Sequence, residues 1–138
     1  MTLPVAPGRR RALVLLALGA SAGAGVRAAH AAQGAQQAAP DSTAVTPAMI
    51  DAGRAIFHSR GTCFACHGMQ LEGSQVAPTL KPHAWRDAKN GDFSAIYHVV
   101  THGVPGTVMV AFPGGISKAD AQNVVSYVWS VTRGKVKP

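Results

Sequence analysis

The sequence predicts an all-α domain of three to four helices joined by long loops. Apolar residues recur at helical spacing in three separate stretches, and no stretch alternates apolar and polar residues as a strand pair would. The helical stretches are also bracketed by capping and stop residues. With 138 residues, 47% hydrophobic and 14% charged, the chain is too apolar to be disordered. It has room for one domain behind a leader and none for separate cofactor and substrate lobes. Two cysteines exclude a disulfide framework and a four-thiolate metal site.

Residues 1–31 read as a secretory signal. Arg9, Arg10 and Arg11 form a positive start, and Ala12 to Val26 is an apolar stretch shorter than a membrane span. Ala29-His30-Ala31 places small residues for cleavage after Ala31, with Val26-Arg27-Ala28 as a second site. The arginines also permit a twin-arginine reading, ranked below general secretion; an uncleaved leader would make a membrane anchor. Four of the 13 basic residues lie in this leader, so the formal charge of +7 falls to +3 without it. Nucleic acid is therefore not expected as a partner.

Residues 32–45, rich in Ala and Gln, read as a flexible linker, and 46–138 as the folded domain. The first helix starts with Thr46 as N-cap and Pro47 at its first position, followed by Ile50, Gly53, Ile56 and Phe57. Gly53 costs roughly 1 kcal/mol against Ala inside a helix, which favours a close approach by another helix. Residues 61–91 form a loop too long for so small a domain unless a bound group orders it. A second helix fits Asp92 to His102, with Asp92 as cap and Gly103 as stop. The last begins at Ser117 in a capping box with Asp120 and carries Ala121, Val124, Val125 and Val128 on one face. Arg133, Lys135 and Lys137 read as a solvated tail.

Both cysteines fall in Cys63-Phe64-Ala65-Cys66-His67, the C-x-x-C-H signature of covalent haem attachment. Two thiols three residues apart can add to the two haem vinyl groups from one turn of chain. His67 then lies beneath the iron as proximal ligand. A thioredoxin-type redox pair would need a βαβ context, and a zinc site would need two further ligands; His98 and His102 lie four apart, on a different helix. One motif means one haem c.

The candidates for the sixth iron ligand are Met49, Met69, Met109, His58, His83, His98 and His102. Met69 lies too close to His67 to leave the proximal side, and Met49 reads as core. Met109, in the Gly/Pro-rich loop 103–116, is favoured, with His102 as runner-up. His83 and His98 read as surface or haem-edge residues.

From Thr46 to Gly134 the chain resembles the class I monohaem c-type cytochromes of bacteria. The resemblance is carried by Gly53 and Phe57, Cys63-x-x-Cys66-His67-Gly68, Pro78-x-Leu80, Gly103-x-x-Gly106-x-x-Met109 and Val128-Trp129. It implies a cytochrome c fold wrapped around the haem. It also implies that the Pro78 carbonyl accepts a hydrogen bond from His67, that Leu80 lines the haem, and that Gly53 and Phe57 cross the last helix near Tyr127 or Val128. Trp85 and Arg86 would meet the propionates. The pattern departs at Val110, where related sequences commonly have proline after the ligand Met.

The expected function is one-electron transfer in the periplasm, within a respiratory or dehydrogenase-linked chain. A site closed by two strong ligands, without a nucleophile, base and oxyanion donors, is not that of an enzyme. Partners would be membrane respiratory complexes or periplasmic dehydrogenases, docking transiently, with Lys81, Arg86 and Lys89 as candidates to flank the haem edge. The alternatives are a dedicated cytochrome subunit of an oxidoreductase complex and a haem-based gas sensor.

Overall fold

The computed structural model describes residues 40–138. The leader and most of the linker lie outside the described residues. Within 40–45, Ser42–Ala44 form a 3-10 turn, and Val45 packs against the core. Four α-helices follow: α1 (Pro47–Phe57), α2 (Cys63–His67), α3 (Phe93–His102) and α4 (Lys118–Thr132). No strand occurs among the described residues.

Helices α1 and α4 begin at local side-chain caps. The Thr46 hydroxyl accepts a hydrogen bond from the Met49 N–H, and Pro47 takes the first helical position, where no N–H is needed. Ser117 accepts from the Asp120 N–H, and the Asp120 carboxylate accepts from the Ser117 N–H, which completes the capping box of α4. At α3 the expectation needs correction. Asp92 sits at the N-cap position without a side-chain capping bond. Its carboxylate instead receives the Arg133 guanidinium at 3.1 Å, and the same guanidinium contacts the Asn90 and Gly91 carbonyls. Arg133 and Lys135 are thus not simply a solvated tail, because Lys135 Nζ lies 4.1 Å over the Trp129 ring.

The core forms where α1 and α3 pack on α4. Phe57 and Tyr127, both fully buried, meet edge to face at 5.7 Å, and Phe93 meets Trp129 at 6.1 Å. Full burial of each large side chain contributes about 1.5–3 kcal/mol. Gly53 makes the α1–α4 crossing possible. A Cβ there would sit 1.9 Å from the Asn123 carbonyl oxygen and 3.0 Å from Tyr127 Cβ, both on α4. Met49 is half-buried and lies outside the buried core cluster, contrary to its reading as a core residue. It starts a turn whose inward positions belong to Ile50 and Gly53.

One surface ion pair reinforces the start of α4. Arg60 holds both Asp120 carboxylate oxygens at 2.6 Å. The Arg60 guanidinium first, and the Ser117 backbone N–H second, pull the Asp120 carboxyl down to about 2. A depressed folded-state pKa gives stability that is present above the ordinary carboxylate value and lost as pH falls toward about 2. Asp120→Asn is therefore expected to flatten the fall in melting temperature between about pH 4 and pH 2. An unchanged acid limb in thermal melts would place that sensitivity on other carboxylates.

Candidate functional site

The attachment pentapeptide forms α2, a single helical turn. Gly68 ends it at φ 82°, in the region that favours glycine. Cys63 and Cys66 are half-buried on the wall of one cavity. Burial pushes the Cys63 thiol up to about 11. The setting thus favours an uncharged sulfur, which is what a thioether is.

His67 also faces this cavity, and its Nδ1 lies 2.9 Å from the Pro78 carbonyl oxygen. A carbonyl only accepts, so Nδ1 carries the proton and Nε2 keeps a lone pair. Burial holds the imidazole below its ordinary pKa, partly offset by the Pro78 bond. The ring is thus held neutral, the form that binds a metal.

The loop that carries Pro78 is fixed by its own backbone. Gly73 N–H donates to the His67 carbonyl, Leu80 N–H to that of Leu71, and Ser74 N–H to that of Ala77, each at 2.8 Å. The Leu71 side chain is fully buried beneath it. Thr132 on α4 donates to the Leu80 carbonyl at 2.8 Å, tying the loop to a helix 52 residues away. Much of the order in 61–91 is therefore built from the chain itself.

Met109 lies in a second loop that folds back on the end of α3. Val104 N–H donates to the Met109 carbonyl and Phe112 N–H to that of Val100, both at 2.8 Å, while the Thr107 hydroxyl accepts from Met109 N–H at 3.1 Å. Gly103, at φ 74°, permits the fold-back, since a Cβ there would meet the Met109 carbonyl oxygen at 2.6 Å. The Met109 side chain is half-buried and lines the same cavity as His67.

The cavity measures about 540 Å³, within the range of small-molecule sites. Phe57, Leu80, Ile96, Val100, Val124 and Val128 supply apolar wall. The valines of α3 and α4 read in sequence as helix-packing residues, because an apolar stripe looks the same whether it faces a helix or a cofactor. Trp85 and Arg86 also line the cavity, and Trp85 Nε1 is buried without an acceptor among the described residues. That nitrogen lies against Gly91, where a Cβ would sit 2.5 Å from it. A large apolar cleft, two cysteine sulfurs, a neutral imidazole and a thioether together fit a haem.

Of the other candidate iron ligands, His83 lines the cavity, whereas Met49, Met69, His58, His98 and His102 do not. His83 packs on Trp85 with ring centroids 4.6 Å apart and planes tilted by 40°, and its Nδ1 lies 2.6 Å from the Lys81 carbonyl oxygen. Lys81 and Lys89 do not line the cavity, and Arg86 pairs with Asp87 at 2.8 Å.

The fold and this site define a c-type cytochrome: a helical domain built around one covalent haem c, attached through Cys63 and Cys66. The model of the family described as cytochrome C oxidase, cbb3-type, subunit III matches residues 48–128, more than half of the chain, and the chain belongs to that family. Cytochrome cL from Hyphomicrobium denitrificans has a similar structure, with a TM-score of 0.50 and 21% identity over 58% of this chain. The match spans 45% of cytochrome cL, less than half of its length. The c-type cytochrome NirC is 26% identical over 67% of this chain and 99% of its own, with a TM-score of 0.48. No curated protein sequence matches.

Proposed function

We propose that this protein is a periplasmic one-electron carrier in a respiratory or dehydrogenase-linked chain, with its haem iron held by His67 and Met109. The observation that carries the reading is that His67, at the end of α2 and held by the Pro78 loop, and Met109, on the braced loop after α3, line one apolar cavity. Bound haem c supplies one reversible electron, the iron alternating between ferric and ferrous.

The chain's own residues do the rest. Cys63 and Cys66 anchor the group. The Pro78 carbonyl orients His67 and raises its basicity. Leu80, Val100, Val124 and Val128 exclude water, and a thioether from Met109 favours the ferrous state. Braced loops keep rearrangement small between the two oxidation states. The periplasmic assignment rests on the leader read in the sequence.

Val76, Val108 and Val110 line the cavity mouth while 64%, 64% and 60% exposed. Such a rim suits a partner that docks over the cofactor edge through a small contact. The family description favours a second reading, a dedicated cytochrome subunit that stays bound to one oxidoreductase complex.

The test is optical. Holoprotein should show a low-spin spectrum in both oxidation states, cycle reversibly, and leave carbon monoxide unbound when ferrous. A high-spin or carbon-monoxide-binding ferrous form would overturn the carrier reading in favour of gas sensing. Copurification with a stoichiometric partner from native membranes would select the subunit reading.

A further inference from the structure

α3 has two faces with different tasks. Ile96 and Val100 are buried and line the cavity, whereas His98 and His102 are exposed and do not. The two imidazoles stand one helical turn apart, stacked with ring centroids 4.1 Å apart and planes 19° from parallel. Two histidines at positions i and i+4 on one helix face are a chelating pair. A metal bound at 2.0–2.1 Å to each nitrogen needs donors roughly 3 Å apart. Ring centroids 4.1 Å apart put the two imidazoles within reach of one ion, with their donors converging as the rings turn out of the stack.

The hydrogen bonding around His102 selects the correct tautomer. The Thr101 hydroxyl donates to the Tyr97 carbonyl at 2.8 Å, so it faces His102 as an acceptor. His102 Nδ1 lies 2.9 Å from that hydroxyl oxygen and 3.1 Å from the His98 carbonyl oxygen. Two acceptors at Nδ1 place the proton there and leave the Nε2 lone pair for a metal. A polar group behind a ligating histidine is the usual means of fixing ring orientation.

We propose that His98 and His102 form a surface site for one divalent transition-metal ion, separate from the haem. Among the described residues no group of three or more His, Cys, Asp or Glu side chains is placed to hold a metal. The site therefore offers two protein ligands, with water in the remaining positions. Imidazole donors suit copper, nickel and zinc, and Cu²⁺ binds tightest of the series. In the holoprotein the two cysteines are consumed as thioethers, which removes them as competitors.

The test uses untagged ferric holoprotein, so that copper finds no electron to take. Titration with Cu²⁺ by calorimetry should show one ion bound per chain. Electron paramagnetic resonance should show nitrogen coordination at the copper. His98→Ala and His102→Ala should each weaken binding by about tenfold or more, as loss of one of two ligands requires. Zn²⁺ should bind the same site more weakly, and the haem spectrum should stay unchanged throughout. Both positions are exposed, so folding is not at risk. Wild-type protein that binds no copper, or variants that bind it as tightly as wild type, would overturn the proposal.

Discussion

Met109→Ala is expected to abolish the near-infrared sulfur-to-iron band of the ferric protein and to let carbon monoxide bind the ferrous form. It should also lower the reduction potential on the order of 0.1 V, a fraction of the ~0.8 V that axial ligands span. These effects belong to the iron rather than to the fold. The bonds that brace this loop are made by the Met109 backbone and by Val104, Thr107 and Phe112, and all survive loss of the side chain. His83→Ala is the matching control, since His83 is the other sixth-ligand candidate on the cavity wall. If Met109 ligates, His83→Ala keeps the band. A Met109→Ala spectrum identical to wild type would defeat His/Met ligation, while the family's covalent haem would stand.

Much of this architecture is written locally. Thr46-Pro47 and Ser117-to-Asp120 announce helix starts because capping chemistry needs only residues three apart. Cys63 to His67 announces the cofactor for the same reason, since one turn of chain holds every attachment atom. The α1–α4 contact was legible through a single residue, Gly53, whose cost inside a helix implies a close neighbour. Long-range choices were not legible. Asp92 could cap α3 or pair with Arg133, and only the proximity of two segments 41 residues apart decides for the ion pair. The Thr132 bond to Leu80 likewise joins a helix end to a loop with no motif between them. Leu71 is fully buried at φ 58°, yet it lies in a stretch without periodicity that could have signalled burial. The stacking of His98 on His102 follows from their spacing, but the Thr101 bond that sets the tautomer depends on where that hydroxyl points, which no motif encodes.

Gly53→Ala separates helix propensity from packing, because the two predict opposite signs. Propensity alone would stabilise α1 by roughly 1 kcal/mol. The added Cβ, however, would lie 1.9 Å from the Asn123 carbonyl oxygen and 2.5 Å from its carbon. Both atoms are α4 backbone and cannot swing aside as the end of a flexible side chain could. The two helices must separate or shift, and overpacking of this kind costs about 1–3 kcal/mol or more. The net expectation is a loss of about 2 kcal/mol, which in a domain near 100 residues lowers the melting temperature by on the order of 10 °C. The loss would reach the site, since Phe57 on α1 and Val124 and Val128 on α4 are walls of the same cavity. Ala55→Gly, on the exposed side of α1, calibrates propensity alone and should cost about 1 kcal/mol. Thermal melts of the two holoprotein variants decide the matter. A Gly53→Ala protein as stable as wild type would mean that the α1–α4 crossing has slack. A destabilisation exceeding that of Ala55→Gly, with reduced haem incorporation, would show that one missing methyl group holds the cavity wall in register.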